Sequence, residues 1–195
     1  MSKTRERILA RLRESATSIQ EAEPGLPIRR FVWDRGERLA RFREAFEAVR
    51  GQVHLVDRGW PSKVLELLRG RGASRLCYGP DGAVGRDLEL AWQAAGGEAS
   101  GVRLIPYEEP VERLRETLFE GVDAGITGCC GAIAETGTLV LWSDTSEPRL
   151  LSLVPPIHLV LLEASSIRST FALLLGEQGW SRGMPTNAVL ITGPA

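Results

Sequence analysis

Residues 124–142 read AGITGCCGAIAETGTLVLW. Ala124–Thr127 and Thr138–Trp142 are short apolar runs bounded by turn residues, too short for helices and rich enough in Ile, Val, Thr and Trp to read as buried strands. Between them Gly128, Gly131 and Gly137 free the backbone for tight turns in which consecutive N–H groups can point at one anion. The same rhythm extends outward in both directions. Val53–Val56, Leu76–Tyr78, Val102–Ile105, Leu159–Leu162 and Ala188–Ile191 are further strand candidates. They alternate with helical stretches at Pro61–Leu68, Asp87–Ala95, Glu109–Phe119 and Ile167–Leu175, and Pro61 occupies a tolerated first-turn position. This alternation predicts an α/β fold, a mostly parallel sheet with helices on both faces.

The first 50 residues have a different period. Ile8, Leu9, Leu12, Ala16 and Ile19 recur at three- and four-residue steps, and after a break at Pro24–Pro27 a second series follows at Leu39, Phe42, Phe46 and Val49. Asp34 is the expected N-cap of that second helix. We therefore expect an N-terminal helical extension over 1–50 and an α/β domain over 51–195. The extension leans on the main body or on a second copy of the chain, in which case the protein is a homo-oligomer.

Composition narrows the function classes. At 195 residues, 43% hydrophobic and 25% charged, the chain has the makeup of a globular protein long enough to bury a core without disulfides or a structural metal. The net charge of −1 carries no electrostatic footprint of a nucleic-acid binder. Apolar runs such as Leu159–Leu162 fall far short of the roughly 20 residues that span a membrane. Three cysteines, Cys77, Cys129 and Cys130, form no disulfide framework, and Ile8 and Leu9 are fenced by charge where a signal peptide needs an apolar core. A cytoplasmic location is the expectation.

In open α/β sheets, ligands bind beyond the carboxyl ends of the strands, so the loop from Thr127 to Thr138 is the leading candidate. Gly128 and Gly137 would shape it, Thr127, Thr136 and Thr138 offer hydroxyl donors, and Glu135 is the one acid within it. It is neither a Walker loop nor a dinucleotide fingerprint. A cradle for a small anion and a plain strand–turn–strand crossing both fit this spacing. Arg149 either clamps a ligand carboxylate or pairs with Asp144 or Glu147. His158, at the entrance to a strand, is either an acid or base near neutral pH or a hydrogen-bonded structural residue. Gly193 ends the last strand, where a ligand turn would open. Adjacent Cys129 and Cys130 point to opposite faces, and two histidines do not make a zinc site, so no metal is expected.

Three blocks carry a family resemblance: AIAETGTLVL at 132–141 preceded by TGC, SLVPPIHLVLLEASSI at 152–167, and VLITGP at 189–194. In this order they resemble the LUD domain family of bacterial lactate utilization proteins. The resemblance implies a fold like that of the NagB/RpiA/CoA-transferase superfamily. It also implies a part in oxidising L-lactate to pyruvate beside two iron–sulfur proteins, LutA-like and LutB-like. Three cysteines do not supply the roughly four that a cluster needs, so iron–sulfur clusters are expected only in those partners and no cofactor in this chain. Family members usually continue beyond the TGP block, whereas this sequence stops at Ala195, so the groups of that tail are expected to be missing. By analogy with CoA-transferases, in which a glutamate attacks a thioester, the alternative is a stand-alone enzyme. It would act on a sugar phosphate, thioester or folate-like substrate with Glu135 as base or nucleophile.

Overall fold

The computed structural model describes residues 31–108, 117–180 and 187–193, together with residues 7, 10 and 11. The chain divides into two compact units, Met1–Arg30 and Phe31–Ala195. The helix predicted on Ile8, Leu9, Leu12, Ala16 and Ile19 lies outside the described residues, as does most of the one predicted over Glu109–Phe119, of which residues 117–120 are helical. From Phe31 the chain forms α1 (Arg35–Ala48), α2 (Trp60–Gly70), β1 (Arg75–Tyr78), α3 (Ala83–Ala94) and β2 (Arg103–Pro106). Then come β3 (Ala124–Gly128), β4 (Gly131–Ile133), β5 (Thr138–Trp142), the short α4 (Leu150–Leu153) and β6 (Ile157–Leu161). β7 (Ile167–Arg168), α5 (Phe171–Gln178) and β8 (Ala188–Ile191) complete the described elements.

The first sheet has the order β2-β1-β3-β6, and every pair in it is parallel. Strand alternation sorts its side chains onto two faces. Leu76, Tyr78, Ala124 and Ile126 meet Val64, Leu65 and Leu68 of α2 and Val84 and Leu88 of α3. Cys77 faces the other way, into a cluster with Leu118, Val122 and Leu151. Helical residues therefore cover both faces, as the β–α alternation predicts.

A second sheet, in the order β7-β4-β5-β8, was not expected. β5 pairs antiparallel with β4 and β8, and β7 joins β4 in parallel. Along β5, Leu139 and Leu141 face α1, where Phe42 is 2% exposed, while Val140 faces Leu174 and Trp180. The second helical series of the sequence is thus the cover of this sheet. Asp34 caps it as expected, its Oδ1 accepting the Glu37 N–H at 2.8 Å. Gly137, in the β4–β5 turn, has φ +65°, and a Cβ there would lie 2.7 Å from the Phe46 backbone nitrogen. Helix and turn approach this closely only with glycine at that position.

Two expectations need correction. Val53–Val56 is not a strand: it runs without regular structure, Leu55 and Val56 are exposed, and only Val53 reaches the α1 cluster. An apolar run does not itself provide a neighbouring strand to bond with. The helix predicted from Ile167 starts at Phe171, because Ile167 and Arg168 pair with Ala132 and Ile133. Thr170 then caps the helix, its hydroxyl accepting the Leu173 N–H.

His158 stands on β6 opposite Gly125, and its Nε2 lies 2.9 Å from the Thr127 hydroxyl. Burial pushes the imidazole down to about 4 from its ordinary 6.5, so the ring is neutral at pH 7. Between these two values the unfolded chain takes up a proton that the folded chain refuses. Its contribution to stability is therefore present above pH 6.5 and lost as pH falls toward 4. Thermal denaturation across pH 4–7 should show a shallower acid-side loss of Tm for His158→Gln than for the wild type; parallel profiles would remove this residue from the account. Phe42→Ala should cost ~3 to 5 kcal/mol in urea unfolding, since it empties the contact between α1 and the second sheet.

Candidate functional site

In the first sheet the chain passes from β1 to β2 on one side and then returns to β3 on the other. The order reverses between β1 and β3, and the loops leaving their carboxyl ends diverge there, which opens a crevice of the kind that holds ligands in α/β sheets. The loop after β1 is Gly79-Pro80-Asp81-Gly82, leading into α3; the one after β3 is Gly128-Cys129-Cys130. A segment between β5 and α4 enters the gap and carries Glu147, whose Oε2 accepts the Gly128 N–H at 2.9 Å.

That segment is held by its own acid. Asp144 Oδ1 accepts from the Ser146 N–H at 2.8 Å, the Ser146 hydroxyl at 2.7 Å and the Glu147 N–H at 2.9 Å. Small residues let it settle against the sheet. A Cβ on Gly79 would fall 1.8 Å from the Ser146 carbonyl oxygen, and one on Gly128 would lie 3.2 Å from Glu147 Oε1. The remaining crevice has a volume of about 340 Å³ and is lined by Val84, Asp87, Cys129, Trp142 and Glu163 beside Glu147.

Its electrostatics are one-sided. Asp87, Glu147 and Glu163 line the crevice, with no basic side chain among the described lining residues. Burial pushes the Glu147 carboxyl up, the Gly128 N–H opposes that shift, and the nearby Asp144 charge adds to it. Burial also pushes the Cys129 thiol up to about 12 and raises that of Cys130. Both are thiols at neutral pH, donating to the carbonyls of Leu161 at 3.5 Å and Val140 at 3.0 Å respectively.

The residues expected to form one loop site are distributed over two places. Gly128 borders the crevice through its amide, while the Thr127 side chain is buried against His158. Glu135, Thr136, Gly137 and Thr138 lie at the β4–β5 turn against α1, where Glu135 borders a second hollow of about 310 Å³ with Trp33, Arg41 and Glu44. There the Thr136, Thr138 and Thr192 hydroxyls form a chain, with oxygens 2.7 and 2.8 Å apart. Gly193 packs on Val49, at the end of α1. Arg149 is exposed at the start of α4 and forms no ion pair with Asp144 or Glu147 among the described residues. His158 is neutral at pH 7 and bonded to Thr127. Sequence reasoning missed Glu147, Asp87, Trp142 and Glu163 as members of a site. The available signals were the Gly-Pro-Asp-Gly turn directly after β1 and the Asp-Thr-Ser-Glu turn at 144–147.

Comparison with known proteins agrees with the architecture. The LUD domain model matches residues 39–195. Over 166 residues the chain is 33% identical to an uncharacterized protein of Neisseria meningitidis serogroup B, an alignment covering 82% of this chain and 67% of that protein. A shorter stretch of 61 residues is 34% identical to an uncharacterized electron transport protein of Escherichia coli, covering 31% of this chain and 13% of that one. The crystal structure of a DUF162 family protein from Deinococcus radiodurans has the same fold, with a TM-score of 0.63 at 21% identity over 82% of this chain and 89% of that chain. The resemblance carried by the three sequence blocks therefore holds across the α/β body, and the chain belongs to the LUD domain family.

Proposed function

We propose that this chain is a LutC-like component of an L-lactate oxidation system, the subunit that carries no redox centre of its own. The observation that carries the reading is the match to the LUD domain, a family associated with lactate utilization, over residues 39–195. The stretch similar to an electron transport protein points in the same direction. Electrons from lactate need an acceptor, and the three cysteines here are fewer than the roughly four that hold a cluster. The clusters would belong to LutA-like and LutB-like partners, and the system would work in the cytoplasm. No helix among the described residues is long and apolar enough to cross a membrane.

Tagged protein isolated from its own host during growth on L-lactate should bring down cysteine-rich iron–sulfur partners and reduce a dye in a lactate-dependent manner. Omitting this subunit from the reconstituted mixture should return dye reduction to background, and adding the purified chain back should restore it. Recovery of the chain alone, or full activity without it, would overturn the proposal.

A further inference from the structure

The segment 143–149 crosses the carboxyl ends of β1 and β3 without being packed into any core. None of its residues is buried, and none joins a hydrophobic cluster. Its two ends are fixed: Trp142 pairs with Ala188 and meets Trp180 edge-on, and Leu151 is fully buried. Between them its hydrogen bonds are local. Asp144 Oδ1 holds Ser146 and Glu147, and the Asp144 N–H reaches the Glu147 carbonyl at 3.3 Å. Apart from those at the start of α4, the one hydrogen bond it makes to the rest of the described chain is that of Glu147 with the Gly128 N–H. Burial of this carboxylate opposes the charge that strengthens the bond. The seat beneath is smooth. Gly79, Gly82 and Gly128 meet the segment without side chains, and a Cβ on Gly82 would lie 3.3 Å from Glu147 Oε1. Segments with so few buried apolar contacts open at the low end of the free-energy scale within a fold.

We infer that residues 143–149 form a gate over the carboxyl ends of β1 and β3, latched by Glu147 on the Gly128 amide, which lifts as a preformed turn between its two fixed ends. Lifting breaks one hydrogen bond to the body and leaves the bonds to Asp144 intact, so the turn closes again without refolding. It bares the Gly128 N–H and the Gly79–Gly82 loop at the place where the strand order reverses. The structure shows the closed position, in which the Ser146 carbonyl fills the space left by the missing side chain of Gly79. The inference concerns a motion of this chain and does not rest on the lactate-oxidation reading, which concerns what the chain assembles with.

Amide relaxation-dispersion and saturation-transfer NMR on the full chain test it. The amides of Gly128 and of the segment should share one exchange rate and one minor-state population on the timescale of lid motions, while Ile126 and Leu151 show none. Glu147→Ala should raise the ratio of open to closed about tenfold or more, since it removes a hydrogen bond to a charged group. Gly79→Ala should act in the same direction from the opposite side, because its Cβ takes the place of the Ser146 carbonyl. In both variants the shifts of Gly128 and of the segment should move toward those of the wild-type minor state, with Ile126 unchanged. If Gly79→Ala does not fold, Glu147→Ala decides alone. Absence of exchange at these amides in the wild type, unrelated rates for Gly128 and the segment, or variant shifts that lead away from the minor state would each overturn the inference. None of these results would alter the outcome of the partner isolation, so the two proposals fail separately.

Discussion

The backbone leaves the parallel sheet at Gly128 and enters the second sheet at Gly131, with only Cys129 and Cys130 between. Much of the rest of the fold follows from that short transfer. With two residues to turn in, β4 cannot extend β3, so it founds a new sheet whose hydrogen bonds are made with β5 and β7. The two cysteine side chains are left pointing to different partners, one toward the Leu161 carbonyl of the first sheet and the other toward the Val140 carbonyl of the second. The adjacent cysteines, expected from the sequence to point to opposite faces, thus bond to carbonyls of different sheets across the junction.

The same transfer creates the crevice. β5 returns from the second sheet, and its exit segment must cross back to β6 of the first, which brings residues 143–149 over the carboxyl ends of β1 and β3. There Glu147 binds the Gly128 amide, linking the segment to the residue at which the chain began its change of sheet. The glycine at 79 is a steric condition of this crossing, because the Ser146 carbonyl occupies the place of its missing side chain. Any β-carbon there would push the segment outward and carry Glu147 with it.

Legibility in the sequence follows from how local each determinant is. β1, β3 and β5 were readable because each is an apolar run whose burial on two faces imposes composition without reference to a particular partner, and β8 from its apolar run alone, since Leu190 is exposed. β4 and β7 were not readable: at three and two residues they exist only as neighbours of each other and of β5, and Ile167 looks identical whether it begins a helix or borders a strand. Val53–Val56 erred in the opposite direction, with strand composition but no adjacent strand. Of the site, Gly128 was visible as part of a glycine-rich loop. Glu147 was not, since its contact with Gly128 spans 19 residues and depends on the return from the second sheet.

The segment AIAETGT at 132–138 has a physical explanation that does not require a ligand. Ala132 and Ala134 are fully buried where α1 lies on the sheet, and larger side chains would hold the helix away. Gly137 allows the turn to meet the α1 backbone directly, in a left-handed conformation that other residues adopt at a cost. Thr138 is buried and would leave an unsatisfied hydroxyl if Thr136 and Thr192 did not bond to it from either side. Each of these residues is constrained by helix-on-sheet packing, and that is sufficient to account for their type and spacing.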